Sequence, residues 1–247
     1  MSDYTLLWQD KDALGDIRVL EDDQFRLLSF GDNDEQSKQL KSAPHVPQHT
    51  YIQAMLLSLM FCQPKSAVVL GLGGGSMVHA LRHYDAGLKL TAVELRPAVI
   101  AAAQKFFRVQ ASKKLQLIED DALKFVTCSD HKRVDLIFAD IYTNDGVDEN
   151  QLSQAFIDGA LRLLKADGML VLNCWKEHSR DRALLERLQN SFAEVYACLT
   201  SGSNWVIFAA RKPGTLRTEG LKTAIDELSS RMDYQAARSM SRFGPWE

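Results

Sequence analysis

The residues best suited to holding a ligand form a glycine cluster that follows a short apolar run, Val68–Leu70. The four glycines of this cluster are Gly71, Gly73, Gly74 and Gly75. Glycine permits a tight turn and lets a ligand approach the backbone, and the start of the helix that follows presents N–H groups without intrahelical partners. The pattern predicts a nucleotide site, and it would also suit a close packing turn between a strand and a helix.

Carboxylates follow two later apolar runs of the same kind. Glu94 ends the run Thr91–Glu94 and lies about 20 positions after the glycines, where an acidic side chain can bind ribose hydroxyl groups. Asp120, Asp121 and Ala122 follow the next run, where a carboxylate and the adjacent backbone can hydrogen-bond an adenine edge. Two alternatives stay open, because Glu94 could be a solvated carboxylate and Asp121 could cap the helix that follows it.

The glycine cluster and Glu94 would suit NAD as well as a nucleotide like S-adenosylmethionine. Three features favour the sulfonium nucleotide. They are the acidic pair after the third predicted strand, Asp140 at the end of the fourth, and an antiparallel hairpin at the end of the sheet.

Asp140 is the candidate catalytic residue, because it follows the run Val134–Ala139 and reaches the same predicted edge of the sheet. An amine that attacks a sulfonium carbon must first lose a proton, and a carboxylate can both hold the ammonium and accept that proton. The loop that follows contains Asp145, Asp148 and Glu149. We predict that Asp145 contacts the substrate, although such an acidic loop could also be only a solvated surface.

Alternating strands and helices must position these residues. From Lys65 onward, short apolar runs are separated by helical stretches, which is typical of a parallel sheet built from βα units. The predicted strands are Ala67–Leu70, Leu88–Val93, Leu115–Ile118, Val134–Ala139 and Met169–Asn173, and the predicted helices lie near 76–84, 97–107 and 151–164. Two further runs, Ala193–Leu199 and Trp205–Ala210, predict the antiparallel hairpin. The predicted fold class is α/β, a doubly wound sheet like that of class I S-adenosylmethionine methyltransferases, with this C-terminal hairpin.

A small N-terminal β-hairpin domain precedes the sheet in this prediction. Ile17–Leu20 and Phe25–Leu28 flank a polar turn, and the polar segment 32–48 predicts a loop. Thr50 can cap a helix that continues to Phe61. These patterns divide the chain into residues 1–49, a small β domain with its loop, and residues 50–247, a Rossmann-like nucleotide-binding domain. The tail from residue 216 predicts an amphipathic helix.

Composition narrows the choice of partners and compartment. The net charge of −3 disfavours stable binding to a nucleic-acid backbone and suits a small cationic or neutral substrate. The four cysteines are scattered without a C-x-x-C pair, so we predict no metal site. The acidic N-terminal segment and the lack of an apolar run of about 20 residues predict a cytoplasmic protein without a membrane segment.

The order of these parts resembles the spermidine synthase family over most of the chain. The resemblance is carried by Gln36 and Ser37, Tyr51–Met55, Gly71–Gly75, Glu94, Asp120–Ala122, Asp140 and Leu164–Gly168. It implies that Gln36, Tyr51, Glu94 and Asp121 contact nucleotide or substrate and that Asp140 is the catalytic aspartate. It also implies decarboxylated S-adenosylmethionine as the donor, an amine as the acceptor, and a homodimer or homotetramer.

Two positions depart from the family pattern and keep three hypotheses open. The family usually carries an Asp directly after the triple glycine and another three places after the catalytic Asp, where this chain has Ser76 and Thr143. The first hypothesis is an aminopropyltransferase. The second is a methyltransferase using intact S-adenosylmethionine, whose carboxylate would need a partner near Ser76 or Gln53, so Gln53 is also a predicted binding residue. The third is a non-catalytic relative that keeps the nucleotide fold.

Overall fold

Two β-sheets of unequal size organise the chain, of which this computed structural model describes residues 4–31, 35–143 and 146–247. The smaller sheet consists of β1 (Thr5–Asp12), β2 (Gly15–Glu21), β3 (Phe25–Ser29) and β4 (Ser37–Leu40). The larger sheet consists of β5 (Ser66–Leu70), β6 (Lys89–Glu94), β7 (Leu115–Glu119), β8 (Val134–Ala139), β11 (Leu164–Trp175), β12 (Glu194–Leu199), β13 (Asn204–Ala210) and β14 (Phe243–Pro245). Between β8 and β11 lies a short hairpin of β9 (Tyr142–Thr143) and β10 (Gly146–Val147).

Nine α-helices lie in the described ranges. They are α1 (Thr50–Met55), α2 (Ser58–Phe61), α3 (Ser76–Tyr84), α4 (Pro97–Phe106), α5 (Ala122–Cys128), α6 (Gln154–Leu163), α7 (Arg182–Ser191), α8 (Lys222–Met232) and α9 (Ala236–Met240). No helix in this part of the chain is long and apolar enough to cross a membrane.

The larger sheet has the strand order β14-β12-β13-β11-β8-β5-β6-β7. Its five strands from β11 to β7 are parallel, and β13, β12 and β14 continue the sheet in antiparallel pairing. The chain runs outward from β5 to β7 and then returns to β8 on the other side, so the strand order switches between β5 and β8. The predicted doubly wound α/β sheet with a C-terminal antiparallel hairpin is confirmed.

Alternate side chains of the central strands enter two separate cores, as the period of two in a strand requires. Leu136 and Phe138 of β8 belong to the core that also contains α1, α3 and the small sheet. Ile137 and Ala139 belong to the core that contains α5, α6 and α7. Both faces of the sheet are therefore buried, which is why its strands read as continuous apolar runs.

The predicted N-terminal hairpin is present, but it belongs to a larger sheet than the sequence predicted. The strands β2 and β3 pair as predicted, but β1 and β4 complete a four-stranded sheet, and β4 lies inside the segment that predicts a loop. The reason is that β4 buries polar side chains, Ser37 and Gln39, which carry no hydrophobic signal. Their hydrogen bonds to the larger domain replace the apolar contacts of an ordinary strand.

One predicted helix was also wrong. The helix from Thr50 to Phe61 is broken, because the N–H of Leu57 donates to the carbonyl of Ala54 in a tighter turn and separates α1 from α2. His49, not Thr50, is the N-cap residue of α1. The helix predicted near 151–164 is observed as α6, Gln154–Leu163, and the chain continues directly as β11.

Candidate functional site

The glycine loop and Asp140 lie side by side at the point where the strand order switches. The N–H of Gly71 donates to the carbonyl of Val93, and the N–H of Asp140 donates to the carbonyl of Leu70, both at 2.9 Å. Gly71 has φ +88°, and a Cβ atom there would lie 2.2 Å from the carbonyl oxygen of Asp140. Glycine is therefore required at 71, because backbone from two adjacent strands meets there. Ligands of open α/β sheets bind at this kind of crevice.

Glu94 at the end of β6 clamps the glycine loop. Its Oε2 accepts hydrogen bonds from the N–H groups of Leu72 at 3.0 Å and Gly73 at 3.4 Å, and its Oε1 accepts one from Arg96 at 3.0 Å. The carboxylate is thereby held against the backbone of the loop, and its contact with a ribose stays a prediction. Leu95, which sequence analysis did not single out, follows it with 52% of its surface exposed. An exposed apolar side chain next to this carboxylate provides a face on which a flat base can pack.

The small N-terminal sheet closes the other side of the glycine loop. Ser37 is buried, and its Oγ accepts a hydrogen bond from the N–H of Gly74 at 2.9 Å. A Cβ atom at Gly73 would lie 2.7 Å from the same Oγ atom. The neighbouring Gln36 donates its backbone N–H to the carbonyl of Leu28 at 2.9 Å, and its contact with a nucleotide stays a prediction.

An ion pair fixes the small sheet to the end of β6. The guanidinium of Arg96 donates two hydrogen bonds of 2.8 Å to the carboxylate of Asp12 and a third to the carbonyl of Gly15. It also stacks on Phe30, 4.6 Å from the ring centre. Arg96 is only 6% exposed, and its hydrogen bonds lower the pKa of Asp12. The position of the sheet over the glycine loop therefore depends on a nearly buried cation.

The two aspartates after β7 stabilise the N-terminus of α5. Asp121 is the N-cap residue, and its Oδ1 accepts a hydrogen bond from the N–H of Lys124 at 2.7 Å. Asp120 accepts one from the ammonium of Lys124 at 2.8 Å, and this bond lowers the pKa of Asp120. The capping alternative for Asp121 is thus realised. Binding of an adenine edge by Asp120, Asp121 and Ala122 stays a prediction.

Asp140 is the centre of a hydrogen-bonded network. Its Oδ1 accepts a hydrogen bond from the Nδ2 of Asn173 at 2.8 Å, and the hydroxyl of Tyr51 donates a second. Burial raises the pKa of the Asp140 carboxyl above its ordinary value, although both hydrogen bonds act in the opposite direction. Burial and the nearby charge of Asp140 raise the pKa of Tyr51 as well. A carboxylate with a raised pKa, held by two neutral donors, is better suited to accepting a proton than an ordinary aspartate.

Two asparagines extend this network across the sheet. The Nδ2 of Asn204, on β13, donates to the Oδ1 of Asn173 at 3.1 Å and to the hydroxyl of Tyr142 at 3.4 Å. The first bond fixes which end of the Asn173 amide faces Asp140. Sequence analysis missed both asparagines and Tyr142. The available signal for Asn173 was a polar residue at the carboxyl end of a predicted strand.

Tyr142 and Trp175 form an aromatic wall beside the network. Their ring centres are 6.2 Å apart, and the ring of Trp175 lies against Gly146, where a Cβ atom would come within 2.3 Å of it. Trp175 is 43% exposed. Because it follows Asn173 by two residues on β11, its side chain leaves the strand on the same face.

Two residues that sequence analysis considered, Gln53 and Asp148, lie outside this arrangement. The side-chain Nε2 of Gln53 donates to the carbonyl of Pro47 at 2.9 Å, and the backbone carbonyl of Gln53 accepts a hydrogen bond from the Tyr234 hydroxyl at 3.0 Å. Successive helix positions differ by about 100°, so Gln53 and Tyr51 leave α1 in nearly opposite directions. Asp148 caps a short 3-10 turn through the N–H of Asn150. Asp145 lies outside the described residues.

Within the described ranges, no group of three or more His, Cys, Asp or Glu residues is placed to hold a metal ion.

Comparison with known proteins agrees with this geometry. The chain is 27% identical over 233 residues to the polyamine aminopropyltransferase of Neisseria meningitidis serogroup A, with 92% of this chain and 88% of that protein covered. Its fold is similar to a probable spermidine synthase from Corynebacterium glutamicum, with a TM-score of 0.73, 14% identity, and 94% and 86% of the two chains covered. It is also similar to a spermidine synthase in complex with the transition-state analogue AdoDATO, with a TM-score of 0.72, 15% identity, and 96% and 85% covered.

The family model of the spermine/spermidine synthase domain matches residues 45–212, which include the glycine loop, Glu94, Asp140 and the asparagine network. The chain therefore belongs to the spermine/spermidine synthase family.

Proposed function

We propose that this protein is an aminopropyltransferase, which uses decarboxylated S-adenosylmethionine to alkylate an amine. The observation that carries the proposal is the carboxyl of Asp140. The backbone of Asp140 lies beside Gly71 of the glycine loop, its carboxyl accepts hydrogen bonds from Asn173 and Tyr51, and burial raises the pKa of that carboxyl. The site thus combines a nucleotide loop with a base next to it.

Binding of the donor and transfer of the proton are assigned to different residues. In this proposal Glu94 accepts hydrogen bonds from the ribose, Leu95 packs on the base, and the loop from Gly71 admits the sulfonium end; the hydrogen bonds of Glu94 to the loop and the exposure of Leu95 support these roles. Asp140 first holds the amine as its ammonium and then accepts a proton from it. The amine nitrogen forms a bond to the propyl carbon, the bond from that carbon to sulfur breaks, and its electron pair stays on sulfur in the neutral thioether methylthioadenosine.

Charge in the site favours the decarboxylated donor over the intact one. The carboxylate of Glu94 accepts hydrogen bonds from the N–H groups of Leu72 and Gly73, and the backbone of Asp140 meets the loop at Gly71. A donor carboxylate bound at this loop would be repelled by the negative charge of these two acidic residues, whereas an aminopropyl ammonium would be attracted to it. This is the reason for preferring aminopropyl transfer to methyl transfer.

Titration calorimetry with decarboxylated S-adenosylmethionine, S-adenosylmethionine and methylthioadenosine tests the donor directly. We expect the decarboxylated donor to bind at least tenfold more tightly than the intact one. Preference for the intact donor would support the methyltransferase hypothesis. Release of methylthioadenosine in the presence of amines, abolished by Asp140→Asn, would exclude a non-catalytic relative.

We also propose that the protein acts in the cytoplasm as a homodimer or homotetramer and that its domains divide near residue 49. The edge strand β1 exposes Leu6 and Leu7, which gives a second copy an apolar surface. The net charge of −3 supports a small-molecule partner over nucleic acid. Light scattering would give the oligomer size, and limited proteolysis the domain boundary.

A further inference from the structure

Gln151 is a fully buried amide in the loop that leads away from Asp140. It lies in the 3-10 turn Glu149–Leu152, where Glu149 and Asn150 are exposed to solvent, yet none of its own surface is exposed. Glutamine is mostly a surface residue. Its burial in an exposed turn therefore indicates that the amide has a partner inside the protein.

That partner is the backbone of Asn173. The Nε2 of Gln151 donates to the carbonyl of Asn173 at 3.1 Å. This carbonyl lies one residue beyond Leu172, which forms the last pair of β11 with β8, opposite Ala139. Gln151 therefore binds β11 just past the point where β8 ends and Asp140 leaves the sheet.

The oxygen of the same amide has no partner among the described residues. The Oε1 atom of Gln151 is buried, and none of these residues donates a hydrogen bond to it. The orientation of the amide is fixed, because only its NH2 group can donate to a carbonyl. A buried acceptor without a donor destabilises the folded chain, and an apolar side chain of the same length would avoid that cost. The contribution of Gln151 therefore lies in its N–H group and in the residue that this group holds.

A closed ring of contacts connects Gln151 with Asp140. Along the loop, the N–H of Gln151 donates to the carbonyl of Asp148 and the N–H of Asp148 donates to the carbonyl of Ile141, each at 3.0 Å. Ile141 follows Asp140 directly in the chain. Across the sheet, Gln151 holds the backbone of Asn173, and the Nδ2 of Asn173 donates to the Asp140 carboxyl at 2.8 Å. The carboxyl and the amide that faces it are therefore fixed to each other through one turn.

We propose that Gln151 is a positioning residue for Asp140, because it closes this ring and keeps the Asn173 amide on the Asp140 carboxyl. The proposal rests on the proposed aminopropyl transfer, in which that carboxyl accepts the proton of the amine. Opening the ring at Gln151 leaves β11 at Asn173 paired only with β13, opposite Val206. The end of β11 then has more freedom, and the hydrogen bond to Asp140 is made less of the time.

Gln151→Met is the direct test, because it keeps the length of the side chain and removes its N–H group. The variant leaves the Asn173 carbonyl unpaired but also removes the unpaired oxygen of Gln151, so its melting temperature should stay close to that of the wild type. The pKa of Asp140 is followed by NMR of aspartates with labelled carboxyl carbons, and its signal is the one missing in Asp140→Asn. Because the Asn173 hydrogen bond lowers the pKa of Asp140, we expect that pKa to rise by about half a unit and kcat/KM on the ascending limb of the pH profile to fall about threefold. An unmoved pKa would overturn the proposal.

The titration reports on hydrogen bonding at Asp140, because the titratable groups next to its carboxyl in the described structure stay neutral. Burial raises the pKa of each of them, namely Tyr51, Tyr142 and Cys174. A change in the pKa of Asp140 therefore does not come from a neighbouring charge.

Two further variants separate a role through Asn173 from a general effect on the loop. Asn150→Met places the same side chain at the exposed neighbour in the turn and should leave the pKa of Asp140 unchanged. Gln151→Met in an Asn173→Leu background should add no shift, because the amide through which Gln151 acts is absent. A shift from Asn150→Met as large as that from Gln151→Met, or an equal additional shift in the double variant, would overturn the proposal.

Gln151→Leu repeats the test in case the methionine variant does not fold. Leucine also removes the amide, and it is shorter than glutamine, so it fits the same space. The same rise in the pKa of Asp140 is expected, and an unmoved pKa in the folded variant would overturn the proposal. Failure of both variants to fold would mean that Gln151 serves stability, which would also overturn its positioning role.

The NMR measurement separates this proposal from the proposed function. A raised pKa of Asp140 in Gln151→Met, without transfer to any amine, would support the role of Gln151 and refute aminopropyl transfer. Transfer that is present, together with an unmoved pKa of Asp140, would refute the role of Gln151 and leave aminopropyl transfer intact.

Discussion

Asn173→Leu should shift the pH dependence of the reaction to higher pH. The substitution removes the hydrogen bond of 2.8 Å from the Asn173 amide to the carboxyl of Asp140 and leaves a side chain of similar size. That hydrogen bond lowers the pKa of Asp140 against the effect of burial, so its loss raises the pKa further. Because Asp140 must be deprotonated to act as the base, the ascending limb of kcat/KM moves with the same sign.

The size of the shift follows from the strength of the lost bond. A hydrogen bond to a charged group contributes about 1.5–3 kcal/mol, and one pKa unit corresponds to about 1.4 kcal/mol, which gives an upper range of about 1–2 units. Tyr51 still donates to Asp140, and Asp140 keeps some exposure to water. We therefore expect about one unit, and about tenfold lower kcat/KM at any pH on the ascending limb.

The assay is release of methylthioadenosine under subsaturating amine across the pH range, with donor affinity measured in parallel. Asn204→Ala is the graded control, because it removes only the next link of the network and should shift the limb by less. A uniform loss of activity with an unmoved limb would refute the reasoning, since it would mean that Asn173 does not act through the ionisation of Asp140.

Three further predictions concern stability and the glycine loop. Asp140→Asn should raise the melting temperature at pH 8 but not at pH 4, because a folded pKa above the ordinary value of an aspartate means that stability falls as the pH rises through it. A melting temperature that gains nothing at pH 8 would contradict this. Gly71→Ala should cost roughly 2–4 kcal/mol of unfolding free energy and abolish donor binding, since its Cβ would overlap the Asp140 carbonyl, and an unchanged melting curve would disprove the overlap. Arg96→Gln should cost about 2–3 kcal/mol of unfolding free energy, which is less than for a fully buried ion pair because the Asp12 side chain is 29% exposed. The matched Asp12→Asn variant should cost less, because the arginine keeps its hydrogen bond to the Gly15 carbonyl. Equal and negligible losses in chemical denaturation would argue against a stabilising role of the Arg96–Asp12 pair.

The sequence by itself determined the fold class and the binding edge of the large sheet. Parallel strands buried on both faces appear as continuous apolar runs, and their carboxyl ends must meet at one edge, so Gly71, Glu94 and Asp140 could be brought together from their positions alone. The C-terminal hairpin was predictable because two apolar runs flank a turn. Each of these signals lies within one short stretch of the chain, so it can be recognised without knowing which segments pack together.

Only the tertiary structure decided what surrounds Asp140. Asn173 and Asn204 lie 31 residues apart, and Ser37 lies 37 residues from Gly74, so no spacing in the sequence predicts their hydrogen bonds. An asparagine or serine side chain can bond to many partners, and its role is fixed by the elements that face it. The polar strand β4 was not recognised for the same reason. The cost of burying its polar side chains is offset by hydrogen bonds to distant residues, and the strand has no apolar pattern of its own.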